Sequence, residues 1–150
     1  MAAGLSLREQ RFDEFASAFD AEVRRTVDAA DLNHVLESDG ELAAGDFSLD
    51  NAELLREAAP WGQQFAEPLF DGQFLVRSQR IVGERHLRLV LSPRNSPTRV
   101  LAAIAFNVDC QAWPNHAAGC VHAAYRLDVN EYRGERQLQL LVEELQIVAG

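Results

Sequence analysis

Five short runs in the second half of the chain limit the fold more than any other feature of the sequence. They are "GQFLVRSQRIVG", "ERHLRLVLS", "TRVLAAIAFN", "GCVHAAYRLDVN" and "RQLQLLVEELQIV", each bounded by Gly, Pro, Asn or Ser. Successive side chains of an extended chain point to opposite faces, so apolar residues at every second position give a strand one face to bury. In the second run Leu87, Leu89 and Leu91 share a face while His86 and Arg88 take the other. In the fourth, Tyr125, Leu127 and Val129 oppose Arg126, Asp128 and Asn130. The third run is apolar on both faces, as a central strand partly covered by another element would be.

The first half has a different period. In "LREQRFDEFASAFDAEVRRTV" the residues Leu7, Phe12, Phe15, Phe19 and Val23 form one apolar stripe at helical spacing, which predicts a helix from about Leu7 to about Val27. Ser6 is its candidate N-cap, with Glu9 completing a capping box. The small, apolar "MAAGLSL" before it reads as a buried strand or turn, as though the chain began in mid-domain. "NHVLESDGEL" reads as a short strand entering a turn at Asp39 and Gly40. "SLDNAELLREAAPWG" offers Ser48 or Asp50 as N-cap and a helical run to about Ala59, stopped by Pro60. Asp50, Glu53 and Glu57 are better read as solvent-facing carboxylates near a helix start than as a metal site.

Five strands in about 80 residues fit an OB-fold, a five-stranded Greek-key barrel. Its second and third strands, with the loops joining strands one to two and four to five, line a groove for oligonucleotides. On that assignment Tyr132, Arg133 and Arg136 stand at the mouth of the groove, in the last loop. Charge is divided in a way that suits this. Met1 to Asp71 carries 5 Arg against 16 Asp and Glu, whereas Gly72 to Arg136 carries 9 Arg against 5. Two further glutamates return the formal net charge of -9. A polyanion partner for the basic stretch and a solvated mixed-charge surface both fit that asymmetry.

No apolar run approaches the roughly 20 residues of a membrane span. Met1 to Gln10 lacks the basic start and apolar middle of a signal peptide, so a cytoplasmic location without membrane contact is expected. Cys110 and Cys120 read as buried or loop thiols in a reducing compartment. Together with His116 and His122 they match no standard zinc spacing, and neither a hydrolytic metal pair on a helix nor a phosphate-cradling Gly-rich loop occurs. Trp61 reads as an inter-domain packing residue, and Trp113, in the long connection "NVDCQAWPNHAAG", is a candidate contact for DNA or a protein partner.

"PWGQQFAEPLFDG", "QRIVGERHLRLVL", "IAFN" and above all "YRLDVNEYRGERQLQLLVEEL" resemble the C-terminal portion of the bacterial RecJ family of single-strand-specific 5′ to 3′ DNA exonucleases of recombination and repair. The resemblance covers nearly all 150 residues. It implies an α+β chain in three parts: residues 1–34 as the tail of a DHHA1 domain with a strand and a long helix, 35–70 as a connector with a short strand and helix, and 71–150 as the OB-fold. It also implies that catalysis belongs to an N-terminal phosphoesterase domain holding Mn2+ or Mg2+. No Asp-His-His triplet of that domain occurs in this sequence, so the chain alone is expected to lack nuclease activity and to need no cofactor.

The expected role is therefore to hold single-stranded DNA for the remainder of a RecJ-like chain. Arginines would neutralise phosphates and exposed aromatics would stack bases. The candidate contacts are Arg77, Arg80, Arg85 and Arg88 from the first two strands, Arg126 from the fourth, and Tyr132, Arg133 and Arg136 from the last loop. The alternative is an OB module that docks a replication or repair protein such as single-strand-binding protein.

Overall fold

Leu87, Leu89 and Leu91 are wholly inaccessible, and the alternation that buries them runs through the second half of the structure. The computed structural model describes residues 6, 8–26, 35–58, 60–62 and 66–148. Each of the five runs forms a strand: β1 (Phe70–Val82), β2 (His86–Pro93), β3 (Leu101–Ala105), β4 (Cys120–Tyr132) and β5 (Glu135–Ile147). They close into a barrel in the order β1-β2-β3-β5-β4. The ladders are antiparallel except that of β3 with β5, which is parallel because the chain crosses to β4 before returning beside β3. This is the Greek-key ring expected of an OB-fold.

Closure depends on two long, bent strands. β1 pairs with β4 through Phe70–Leu75 and with β2 from Phe74 onward, and its register shifts between Val76 and Ser78. β4 has a similar irregularity between Ala124 and Tyr125. A bulge bends a strand and raises its twist, which lets one strand serve two neighbours in a small ring. The interior is filled by Phe74, Val121, Tyr125 and Leu140 with the β2 leucines. The outward residues of β3, Ala102 and Ile104, are half-buried.

Glu37–Gly150 forms one compact unit, so most of the segment expected as a connector belongs with the strands. Helix α2 (Leu49–Ala58) starts where Ser48 Oγ accepts the Asn51 N–H at 3.1 Å, which makes Ser48 its cap. Just before it, the buried Phe47 lies against Phe74 and Tyr125, with ring centroids 6.2 and 5.9 Å away. Ala52 on α2 is fully buried in the same core. Trp61, expected to pack between domains, donates its indole N–H to Leu55 O at 2.8 Å and so packs on α2.

Two expectations for the first half change. Val35–Ala43 contains no strand. Asp39 N–H reaches Leu69 O and Asp71 N–H reaches Gly40 O, two bonds to the start of β1 that do not extend into a ladder. The expected turn is present, with Gly40 at φ +99° and its N–H on Ser38 Oγ. The first helix also begins later than Leu7. A 3-10 turn covers Glu9–Arg11 and α1 runs Phe12–Thr26, so Ser6 lies outside the helical run and does not cap it. Phe12, Phe15 and Phe19 are exposed, and the rings of Phe15 and Phe19 stack at 5.8 Å. The strand or turn expected for "MAAGLSL" falls almost entirely outside the described residues.

Candidate nucleic-acid interface

Burying Leu87 and Leu89 turns Arg88 to the outer surface of β2. Its cross-strand partners are Arg80 on β1 and Ile104 on β3, so all three lie on one outward row. One step along, Val82 is paired with His86, and the alternation that buries Ala105 puts Phe106 outside next to His86. The two rings meet at right angles with centroids 4.9 Å apart. Phe106 is 53% exposed.

Opposite this row the β4–β5 hairpin turns through Arg133 and Gly134, at φ +54° and +81°. Two successive positive φ values define the turn type whose twist matches that of the flanking strands. Glycine takes that conformation freely, whereas an arginine held there costs on the order of 1–3 kcal/mol. The Arg133 guanidinium lies 5.1 Å from the centroid of the Tyr132 ring, within cation–π range, and Tyr132 is 64% exposed.

Between the two rows lies a cleft of about 670 Å3, a size typical of ligand sites. Val82, Arg88, Ile104 and Phe106 line one side, and β4 and β5 line the other through Asp128, Asn130, Tyr132, Gln137 and Gln139. Glu131 and Glu135 stand at the hairpin end. The cleft thus crosses β2 and β3 between the β1–β2 and β4–β5 turns, with three carboxylates and one guanidinium in its lining.

The structure brings only part of the expected set together. Arg88 and Tyr132 line the cleft, Arg133 leans on Tyr132, Arg80 pairs with Arg88 across the ladder, and Arg85 is exposed in the β1–β2 turn. The other three arginines are directed elsewhere. Arg77 donates to Ser92 Oγ at 3.1 Å and to Pro97 O at 2.8 Å. Arg126 is paired with Glu143 at 2.6 Å and lies 3.8 Å from Glu67. Arg136, expected at the groove's mouth, reaches Glu53 on α2 at 2.8 Å, because the helix packs on that side of the hairpin strands. Trp113, expected as a surface contact, is largely buried and packs with the core cluster. Phe106 was absent from the expected set, although strand alternation continued one residue past Ala105 places it outside.

A second polar cluster joins β1, β4 and the segment before α2. Asp71 accepts a hydrogen bond from Ser38 Oγ and lies 2.6 Å from His122 Nε2. The Ser38 hydrogen bond, then that from His122, hold the Asp71 carboxyl below its ordinary value of 3.8. Burial pushes the Tyr125 phenol well above its ordinary value. Cys110 is exposed, Cys120 is buried and both are free thiols. Among the described residues no three His, Cys, Asp or Glu side chains are grouped so as to hold a metal ion, and no helix is long and apolar enough to cross a membrane.

Comparison with known proteins places this geometry in context. The RecJ OB domain family matches residues 38–144. The single-stranded-DNA-specific exonuclease RecJ of Dickeya dadantii (strain 3937) is 53% identical over 145 residues, which cover 97% of this chain and 25% of that protein. The RecJ of Escherichia coli (strain K12) is 45% identical over 145 residues, with the same coverage of each. The chain therefore spans about a quarter of the length of these relatives. The crystal structure of RecJ in complex with Mg2+ from Thermus thermophilus superimposes with a TM-score of 0.61 at 18% identity, covering 97% of this chain and 21% of that one. At that identity the likeness concerns the fold alone.

Proposed function

The chain belongs to the RecJ OB-domain family, and from that premise we propose that it holds single-stranded DNA for a RecJ-like 5′ to 3′ exonuclease. The observation that carries the reading is the position of the cleft. It crosses β2 and β3 between the two loops where OB-folds hold oligonucleotides, and it has an exposed tyrosine at one end. Tyr132 stacks on a base, a contact that every base accepts, so binding is tolerant of sequence. Arg88 in the cleft and Arg80, Arg85 and Arg133 around it contact phosphates and release counterions. Among the described residues none of these four has a carboxylate partner, so no ion pair must break for DNA to bind.

The chemistry belongs, on this proposal, to the remainder of the parent protein, in a phosphoesterase domain that holds Mn2+ or Mg2+. The donor groups described in this chain do not fit such a site. The present residues bind and orient the strand, and no bond-breaking step is assigned to them. A DHHA1 origin for residues 1–34, a role in recombination and repair, a cytoplasmic location and contact with single-strand-binding protein belong to the same proposal.

The test is equilibrium binding of fluorescent oligonucleotides to the 150-residue chain. Single strands of mixed sequence bind more tightly than the same sequence as a duplex, and the affinity falls as salt rises. Equal or absent binding of the two forms overturns the proposal.

A further inference from the structure

We propose that Phe106 is a second base-stacking platform of the cleft, and that the strand lies with its bases toward the floor and its phosphates outward. The inference rests on the single-strand reading above and extends it to a residue and an orientation.

Phe106 follows β3 directly and is more than half exposed. What sets Phe106 apart from other exposed apolar residues is that it lines the same cleft as a second exposed aromatic, Tyr132. His86 supplies a brace and no cover. The rings are T-shaped at 4.9 Å, and His86 Nδ1 also accepts the Asn107 N–H at 3.4 Å, so the residues flanking Phe106 are tied to the start of β2. A ring fixed from one side with a free face toward a cleft is already ordered, and stacking on it needs little further loss of freedom. Tyr132 presents the second such ring to the same cleft, itself held by Arg133. Phe106 follows the last residue of β3 and Tyr132 is the last residue of β4, while the cleft floor between them comes from the ladders, including Ile104 and Val129.

Orientation follows from charge. Asp128, Glu131 and Glu135 line the cleft and oppose a phosphate there, with Arg88 alone to attract one. The guanidinia of Arg80 and Arg85, which have no carboxylate partner among the described residues, are exposed beyond the lining, toward β1 and its turn. Bases are uncharged and carry N–H groups that carboxylate and amide oxygens accept. The cheapest arrangement therefore puts bases between the two rings and leaves the backbone at the basic rim.

The test uses the 150-residue chain and two oligonucleotides of equal length and charge, one normal and one with abasic positions throughout its centre. Phe106→Ala is expected to weaken binding of the normal strand by roughly 5- to 140-fold, the stacking range for one base, with the salt slope unchanged. Its affinity for the abasic strand is expected to equal that of the parent. Phe106→Trp restores normal binding and Phe106→Leu does not, because leucine keeps apolar bulk without a π-face. If Phe106→Ala binds the normal strand as the parent does, or if Phe106→Leu restores binding, the platform is refuted while the single-strand reading stands. If the parent binds no single strand, that reading fails and the platform with it.

Discussion

Two sets of charged and aromatic residues on the barrel are treated in opposite ways. In the set that meets α2 and its lead-in segment, Phe47 is buried against Phe74 and Tyr125, Arg136 is matched by Glu53, and Asp71 is matched by Ser38 and His122. In the cleft set Phe106 and Tyr132 are more than half exposed, and Arg88 faces carboxylates without pairing to one. The first set gives the charged groups of Arg136 and Asp71 partners within the protein. The second leaves aromatic faces and guanidinia available, and it holds Arg133 in a backbone conformation that favours glycine. The arginines that look equivalent in the sequence thus divide by what the fold places next to them.

The largest expected effect sharpens the contrast from the structural side. Phe47→Ala removes a buried ring at the core and is expected to lower stability by about 3–5 kcal/mol in denaturant unfolding. A loss below about 1 kcal/mol would mean that Phe47 is not part of the cooperative unit. Tyr132→Ala gives the converse: single-strand affinity falls by about 1–3 kcal/mol while the unfolding midpoint stays within experimental error. Because stacking releases no counterions, the dependence on salt is unchanged.

Smaller effects separate the arginines. Arg88→Ala weakens binding and reduces the slope of log affinity against log salt by up to about 0.7, the value for one phosphate contact on a single strand. Arg136→Ala leaves both quantities as they were and costs at most about 1 kcal/mol of stability, since its ion pair with Glu53 is only partly shielded from water. Equal effects of the two substitutions on the slope would erase the distinction between the sets. The smallest effect is in acid. The folded carboxyl of Asp71 titrates below its ordinary value, so its contribution to stability is present above that value and is lost as pH falls through the lowered one. Asp71→Asn therefore flattens the stability curve below about pH 4.

Much of the barrel was legible in the sequence because strand burial has a period of two. Leu87, Leu89 and Leu91 declare the inner face of β2, and Tyr125, Leu127 and Val129 that of β4. The same period shows which arginines point outward, but not what meets them there. Arg136 and Glu53 are far apart in the chain, and only the packing of α2 on β4 and β5 brings them together. Trp113 was open to misreading for a similar reason. Its connection looks like a surface loop, yet Gln79 bonds both backbone groups of Asn115 at 2.6 and 2.8 Å and fixes the segment against the barrel. The short strand expected in "NHVLESDGEL" does not form over its described residues, where two bonds to the start of β1 and a left-handed Gly40 stand in place of a ladder.

If the contrast holds, DNA lies in the cleft and not on α2. A titration of the isotope-labelled chain with a short single strand, followed by backbone amide shifts, tests it directly. Salt-sensitive shifts are expected at Arg80–Arg88, Ile104–Phe106 and Asp128–Gln139, with Leu49–Ala58 unmoved. Shifts centred on α2 and the Ser38–Asp71–His122 cluster, or no shifts at any residue, would contradict it.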